Sequence, residues 1–190
     1  MNRGRFIVFE GGEGTGKSTQ AARLAERLGA LLTREPGDTG LGREIRSLVL
    51  SAAESSSAAL SDRAEALLMA ADRAQHVDEL IEPTLAAGRD VVCDRFIGSS
   101  VAYQGYGRGL DVDIVRAVSG WAAGGLWPDL VIVLTVPPEE AERRTGGARD
   151  RIEAAGAAFH ERVAQGFLDQ AEDEPDTWFV VDGTGSVDDV

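Results

Sequence analysis

Lysine is almost missing from this chain. Of 190 residues only Lys17 is a lysine, and every other permanently basic side chain is an arginine. Cysteine is equally scarce. The single Cys93 excludes an internal disulfide and a cysteine-based zinc cluster. Its setting, Val91-Val92-Cys93, reads as a buried small hydrophobe rather than a reactive thiol. There are two histidines, His76 and His160. Both fall inside helical patterns without evident partners, and both read as ordinary surface or core residues. Positive charge is in deficit: the formal net charge is -13. That excludes a nucleic-acid polymer as the expected partner, because a phosphate backbone needs a basic face. A small anionic ligand stays possible, since a few arginines in one cleft override the global field. No stretch approaches the ~20 consecutive apolar residues of a membrane span. The first residues lack the apolar core of a secretory signal, so the expected compartment is the cytoplasm.

Where the lone lysine sits is informative. The run Phe6-Ile7-Val8-Phe9-Glu10 is apolar and partly β-branched. It leads into Gly11-Gly12-Glu13-Gly14-Thr15-Gly16-Lys17-Ser18-Thr19, then into a segment with Ala21, Leu24, Ala25 and Leu28 at helical spacing. Gly11, Gly16, Lys17 and Ser18 fit the phosphate-binding P-loop pattern in its strand–loop–helix context. Glycines let the backbone curl around a phosphate with N–H groups inward, and the helix start adds its positive end. Lys17 is placed to reach the β- and γ-phosphates of ATP, and the Ser18 hydroxyl to ligate Mg²⁺.

Apolar runs at 6–9, 30–33, 91–93, 130–135 and 178–181 alternate with helical patterns. Near-continuous apolar strands separated by helices predict an α/β fold, a five-stranded parallel sheet covered on both faces. The length fits one domain over 1–190. Helices are expected over 61–85, with Pro83 kinking or ending it, and over 112–122, 139–144 and 154–171. Ser55-Ser56-Ser57 reads as a surface loop. Ser186 looks like the N-cap of a helix that is then cut off.

Three arginine-bearing segments narrow the chemistry. Thr33-Arg34-Glu35-Pro36-Gly37 and Asp94-Arg95-Phe96 follow the second and third strands, at the carboxyl edge where such sheets bind ligands. Arg143-Arg144-Thr145-Gly146-Gly147-Ala148-Arg149-Asp150-Arg151 is too polar and glycine-rich for a packed helix. It reads as a lid over 143–153 that brings arginine onto phosphates, the alternative being a solvated loop. Such parts suit phosphoryl transfer between nucleotides, which needs positioning and charge stabilisation more than covalent catalysis. A nucleoside monophosphate acceptor is already ionised near neutral pH, so no general base is required.

These motifs resemble those of thymidylate kinases. The resemblance rests on Glu10 to Ser18, Thr33 to Gly37, Asp94 to Phe96, Ser99-Ser100-Val101-Ala102-Tyr103-Gln104-Gly105 and Asp150-Arg151-Ile152-Glu153, which occur in family order. It implies a P-loop NTPase three-layer fold, transfer of the ATP γ-phosphoryl to dTMP, and a homodimer packed through long helices. It also implies roles. Lys17 and the loop amides would hold the ATP phosphates, and Ser18 and Asp94 the Mg²⁺. Glu13 would contact the 3′-hydroxyl and orient an arginine. Arg34, Arg46 and Arg95 would surround the acceptor phosphate. Arg73, Ser100 and Gln104 would read thymine, and Tyr103 would lie against the sugar. Adenine contacts would fall near Gly183-Thr184.

Two positions depart from the family pattern. Met69, one helical turn before Arg73, stands where a stacking phenylalanine is common. Gly14 stands where some members carry a P-loop arginine, which points to a catalytic arginine in the lid. The usual lid position falls on Gly146, leaving Arg144 or Arg149 for that role and Arg143 as a third choice. Another P-loop nucleoside or nucleoside-monophosphate kinase, and a catalytically silent nucleotide binder, stay open as alternatives.

Overall fold

A computed structural model describes residues 3–50, 60–146 and 150–190. The serine loop expected at 55–57, and Arg149, lie outside the described residues. Five strands, β1 (Phe6–Glu10), β2 (Leu31–Arg34), β3 (Val91–Asp94), β4 (Leu130–Thr135) and β5 (Trp178–Asp182), form one parallel sheet in the order β2-β3-β1-β4-β5. The second strand begins and ends one residue later than its apolar pattern suggests, so Arg34 is its last residue.

Period-two alternation divides the strands between two cores. Phe6, Val8, Val91, Cys93, Val131 and Val133 face one side. Ile7, Phe9, Val92 and Leu134 face the other, where α1 (Lys17–Leu28) supplies Ala21 and Ala25. Both faces are therefore covered, as a parallel sheet requires. Cys93 is fully buried in the first core, as its setting predicts.

The larger core lies under α2 (Gly40–Leu50), α3 (Asp62–His76), α6 (Val112–Ala122) and α8 (Ala157–Asp173). Ser61 caps α3 by accepting from Ala64 N, and Asp111 caps α6 by accepting from Ile114 N. Past His76 the chain does not break at Pro83. A π-helical turn, Val77–Ile81, leads into α4 (Glu82–Ala86), with Pro83 in its first turn. Proline has no N–H to give the preceding turn and its ring crowds that carbonyl; the wider π turn accommodates both.

One helix lacks a sequence signal of its own, α5 (Ile97–Ser100), which runs on as a π-helical segment, Val101–Gly107. Buried Glu10 starts α5: its carboxylate accepts from Phe96 N at 3.0 Å, Ser99 N at 2.9 Å and Ser99 Oγ at 2.5 Å. Burial pushes the Glu10 carboxyl up to about 7, and the bond from Ser99 opposes the rise. Past the lid region a short 3₁₀ turn, Glu153–Ala155, precedes Gly156 at φ 92°, so α8 begins later than the periodicity indicates. At the other end of the chain Ser186 nucleates a single turn, accepting from Val190 N and donating to Asp189 Oδ2. That turn docks on α1 through Gln20 and Arg23.

The π-helical segment lies tightly on α8. A Cβ at Gly107 would sit 2.6 Å from the Phe159 ring and 2.9 Å from Val163. Gly107→Ala should therefore lower the unfolding free energy by about 1–3 kcal/mol through overpacking, measurable by urea denaturation.

Candidate active site

The order of the strands decides where a ligand can bind. The chain leaves β1 to build β2 and β3 on one side, then crosses back to build β4 and β5 on the other. At the carboxyl ends of β1 and β3 the connections diverge and leave a crevice. The P-loop follows β1 and Asp94-Arg95 follows β3, with Phe9 opposite Asp94 in the register. Arg95 N donates to Phe9 O and Glu35 N donates to Asp94 O, so three segments that looked separate in sequence meet at one edge.

The P-loop turns through Gly11, Gly14 and Gly16, all at positive φ. Lys17 is buried, with Nζ 2.5 Å from Gly12 O and 3.4 Å from Thr15 Oγ1. Burial, with Arg95 adding like charge, lowers its ammonium to about 8. A phosphate in the loop would oppose both causes. Ser18 Oγ donates to Asp94 Oδ2 in a short bond, and Asp94 Oδ1 is buried with no hydrogen-bond partner. Thr19 is exposed at the start of α1.

Arg95 adopts φ 74°, which costs a side-chain-bearing residue about 1–2 kcal/mol. Its guanidinium explains the tolerance. One amino group reaches Gly11 O at 2.9 Å and Ser99 Oγ at 3.0 Å; the other reaches Glu13 Oε1 at 2.6 Å and Tyr103 Oη at 3.1 Å. Tyr103 donates to the same Glu13 oxygen at 3.0 Å, and its ring lies under the guanidinium. Arg95, then Lys17 and the Tyr103 bond, hold the Glu13 carboxyl at about 2 despite its burial, while burial pushes the Tyr103 phenol up.

One open cleft is lined by Glu13, Lys17, Ser18, Arg34, Arg46, Met69, Asp94, Arg95, Tyr103 and Gln104. Arg46 donates to Pro36 O, with its stem across Gly37. Burial, with Arg34 beside it, lowers its guanidinium. Ser100 and Arg73 lie behind the wall, both buried. Arg73 Nη2 meets Glu35 Oε2 at 2.8 Å, Phe96 O at 3.0 Å and Ser100 Oγ at 3.1 Å. Its Nε and Nη1, and the Oε1 of Gln104, are buried without partners.

A family model described as thymidylate kinase matches residues 9–190. The chain belongs to the thymidylate kinase family. It is 50% identical over 188 residues to the thymidylate kinase of Cutibacterium acnes, covering 96% of this chain and 90% of that protein. It is 49% identical over 181 residues to that of Halothermothrix orenii, covering 90% and 86%. The crystal structure of thymidylate kinase from Ehrlichia chaffeensis superposes with a TM-score of 0.77 at 33% identity, covering 94% of this chain and 93% of that one.

Arg143 and Arg144 lie in the last turn of α7 (Pro138–Thr145), the helix expected over 139–144, where they complement the helix dipole. Arg143 is exposed and bonds Glu140 at 2.6 Å. Arg144 shares Glu140 at 2.5 Å and donates to Gly183 O at 3.0 Å, in the loop against Thr15. A Cβ on Gly14 would come 2.6 Å from Ala141 O of the same helix, at a residue already at φ 71°.

The residues that sequence reasoning missed are the supports. Glu65 is fully buried and accepts from Gln104 Nε2 at 2.8 Å, with Arg108 and Arg151 paired to it. Leu50, Asp150 and Ile152 also line the cleft. His76 is not partnerless: it is buried between Glu35 and Thr33. His160 lies in the first turn of α8, edge-on to Phe159. Only spatial contact marks these residues, since none stands in a motif that names its partner.

The Glu13 carboxyl is depressed in the fold, so its contribution to stability is full above its unfolded value near 4.5 and is lost as pH falls towards about 2. Urea unfolding across pH should show wild type more stable than Glu13→Gln by a constant margin above about pH 4.5, and that margin shrinking below it.

Proposed function

We propose that this chain transfers the γ-phosphoryl group of ATP to dTMP, giving dTDP and ADP, with Mg²⁺ held between Ser18, Asp94 and the phosphates. The observation that carries this reading is the cleft itself. Lys17 and the P-loop stand at one end, Arg34, Arg46 and Arg95 converge in the middle, and Gln104 stands at the other, with buried unpartnered groups of its own and of Arg73 behind the wall. Arginine forks match phosphate oxygens bidentately, and so suit a doubly charged acceptor.

In this reading the P-loop amides of Gly11 to Thr19 and Lys17 cradle the donor phosphates. Arg95 and Arg46 fix the acceptor phosphate in line, with Arg34 at its outer side. Glu13 holds the Arg95 guanidinium and is placed to meet the sugar 3′-hydroxyl, with Tyr103 against the ring of the sugar. Arg73 offers a donor and Gln104 an acceptor. Thymine presents an acceptor beside a donor and satisfies both; cytosine presents the reverse and leaves both unpaired. Ser100 holds Arg73, and Met69 covers the base face with a polarizable thioether.

A hydroxyl with a carboxylate whose second oxygen lacks a partner suits a hard cation completed by phosphate and water. Among the described residues no group of three or more His, Cys, Asp or Glu side chains could hold a metal alone. That fits a Mg²⁺ that arrives with the nucleotide and supplies charge neutralisation at the phosphates.

One domain carries these parts, with 143–153 as its lid, and Arg144 leads the described lid arginines because it already bonds the Gly183 loop beside the P-loop. Arg149 remains a second candidate. Exposed Leu48, Leu67, Ile114 and Trp121 on the adjacent α2, α3 and α6 give a homodimer its apolar face. Among the described residues no helix is long and apolar enough to cross a membrane. A lone, buried, unpaired Cys93 suits the cytoplasm.

A coupled assay with ATP and Mg²⁺ should show dTMP turned over faster than dUMP, dCMP or dGMP; equal turnover of any of these defeats the thymine assignment. Lys17→Ala should lower kcat by orders of magnitude while leaving the thermal unfolding midpoint close to wild type. Arg144→Ala should cost more in kcat than Arg143→Ala, measured at saturating dTMP.

A further inference from the structure

Behind the cleft a line of side chains joins its base end to the arginines at its middle. Arg73 Nη2 is 2.8 Å from Glu35 Oε2, and Glu35 Oε1 is 3.0 Å from His76 Nδ1. His76 Nε2 is 2.6 Å from Thr33 Oγ1, which is 2.6 Å from Asp38 Oδ2. Asp38 Oδ1 lies 3.8 Å from Arg34 Nε. The line runs from a fully buried arginine at the base end to an exposed arginine at the phosphate end. Thr33 and His76 are both buried, and neither lines the cleft.

Donor counting shows what histidine contributes. Asp38 as a carboxylate can only accept, so the Thr33 hydroxyl proton points to it, and the Thr33 oxygen must accept from His76 Nε2. Glu35 likewise accepts from Nδ1. An imidazole donating at both nitrogens satisfies the line, and among natural side chains only histidine offers two opposed N–H donors on a ring of that size. Asp72 adds a second tie, accepting from Gly37 N at 3.1 Å.

We infer that His76 and Thr33 are positioning residues that hold Arg73 and Arg34 as one unit, coupling the base end of the acceptor site to its phosphate end. A shift of Arg73 is transmitted through buried, hydrogen-bonded Glu35, His76 and Thr33 to Asp38, and from Asp38 to Arg34 through their ion pair. A nucleotide with both a correct base and a phosphate therefore gains more than the two contacts measured separately. This rests on the placement of the acceptor between Arg73 and Arg34 proposed above.

The test uses Thr33→Val, which deletes one hydroxyl at nearly constant shape, and Thr33→Ser, which restores it. Thr33→Val should raise the KM for dTMP about tenfold, the loss of one charge-assisted bond. The KM for ATP and kcat at saturating dTMP should stay within about twofold, and Thr33→Ser should recover the wild-type KM. In the Thr33→Val background Arg34→Ala should cost less than in wild type, the signature of a coupled pair. His76→Gln, which keeps the amide donor towards Thr33, should fall between wild type and His76→Phe. If Thr33→Val leaves the dTMP KM unchanged while Arg34→Ala raises it, the coupling is absent although the acceptor placement stands. If Thr33→Val raises both KM values and lowers kcat together, the effect is general loosening and the inference fails. If Arg34→Ala and Arg73→Lys also leave the dTMP KM unchanged, the placement fails and the inference with it.

Discussion

Arg95 is the joint on which the site hangs. Its backbone closes β3 against β1, and its guanidinium bridges the P-loop carbonyl of Gly11, the Glu13 carboxylate, Ser99 and Tyr103. A left-handed backbone there is unfavourable, and these bonds hold it. Because one cation binds both the donor loop and the helix that carries Tyr103 and Gln104, the two halves of the site keep a fixed spacing. Phosphoryl transfer depends on that spacing more than on any proton transfer.

Glu10 plays a matching part below the surface. It lies at the end of a strand buried on both sides, yet it is charged in type and raised towards neutrality by burial. Its oxygens take the first N–H groups of α5 and the Ser99 hydroxyl, so the polar start of a helix is satisfied without water. Gly98 makes this possible, because a Cβ there would come 2.9 Å from the Glu10 carboxylate and 2.5 Å from Trp178. Sheet, helix start and cleft wall are thus assembled by one buried carboxylate and one glycine.

The strands were legible because alternation and apolar runs report burial directly, and β1, β3 and β4 match their patterns closely. The P-loop was legible because its spacing encodes its own geometry. Helix α5 was not, since it has only four residues and its start is set by the Glu10 carboxylate. The cleft residues Arg34, Arg46, Met69, Tyr103 and Gln104 do converge. Their supports, Glu65 and His76, stayed hidden because a buried polar group announces itself only through partners that here lie 39 to 86 positions away. Pro83 does not end the helical run expected to 85, because a π turn precedes it and it enters α4 in the first turn, where no N–H is needed.

Gly14 has a consequence for how this architecture can change. Helix α7 rests its Ala141 carbonyl directly above that residue, which sits in a left-handed turn. A side chain on the loop and a close-lying α7 cannot share the same space. A side chain at position 14 and the present seat of α7 are therefore separated by a steric barrier, not points on a continuum. Any single substitution at Gly14 would displace α7 and, with it, the bond that Arg144 makes to Gly183 O.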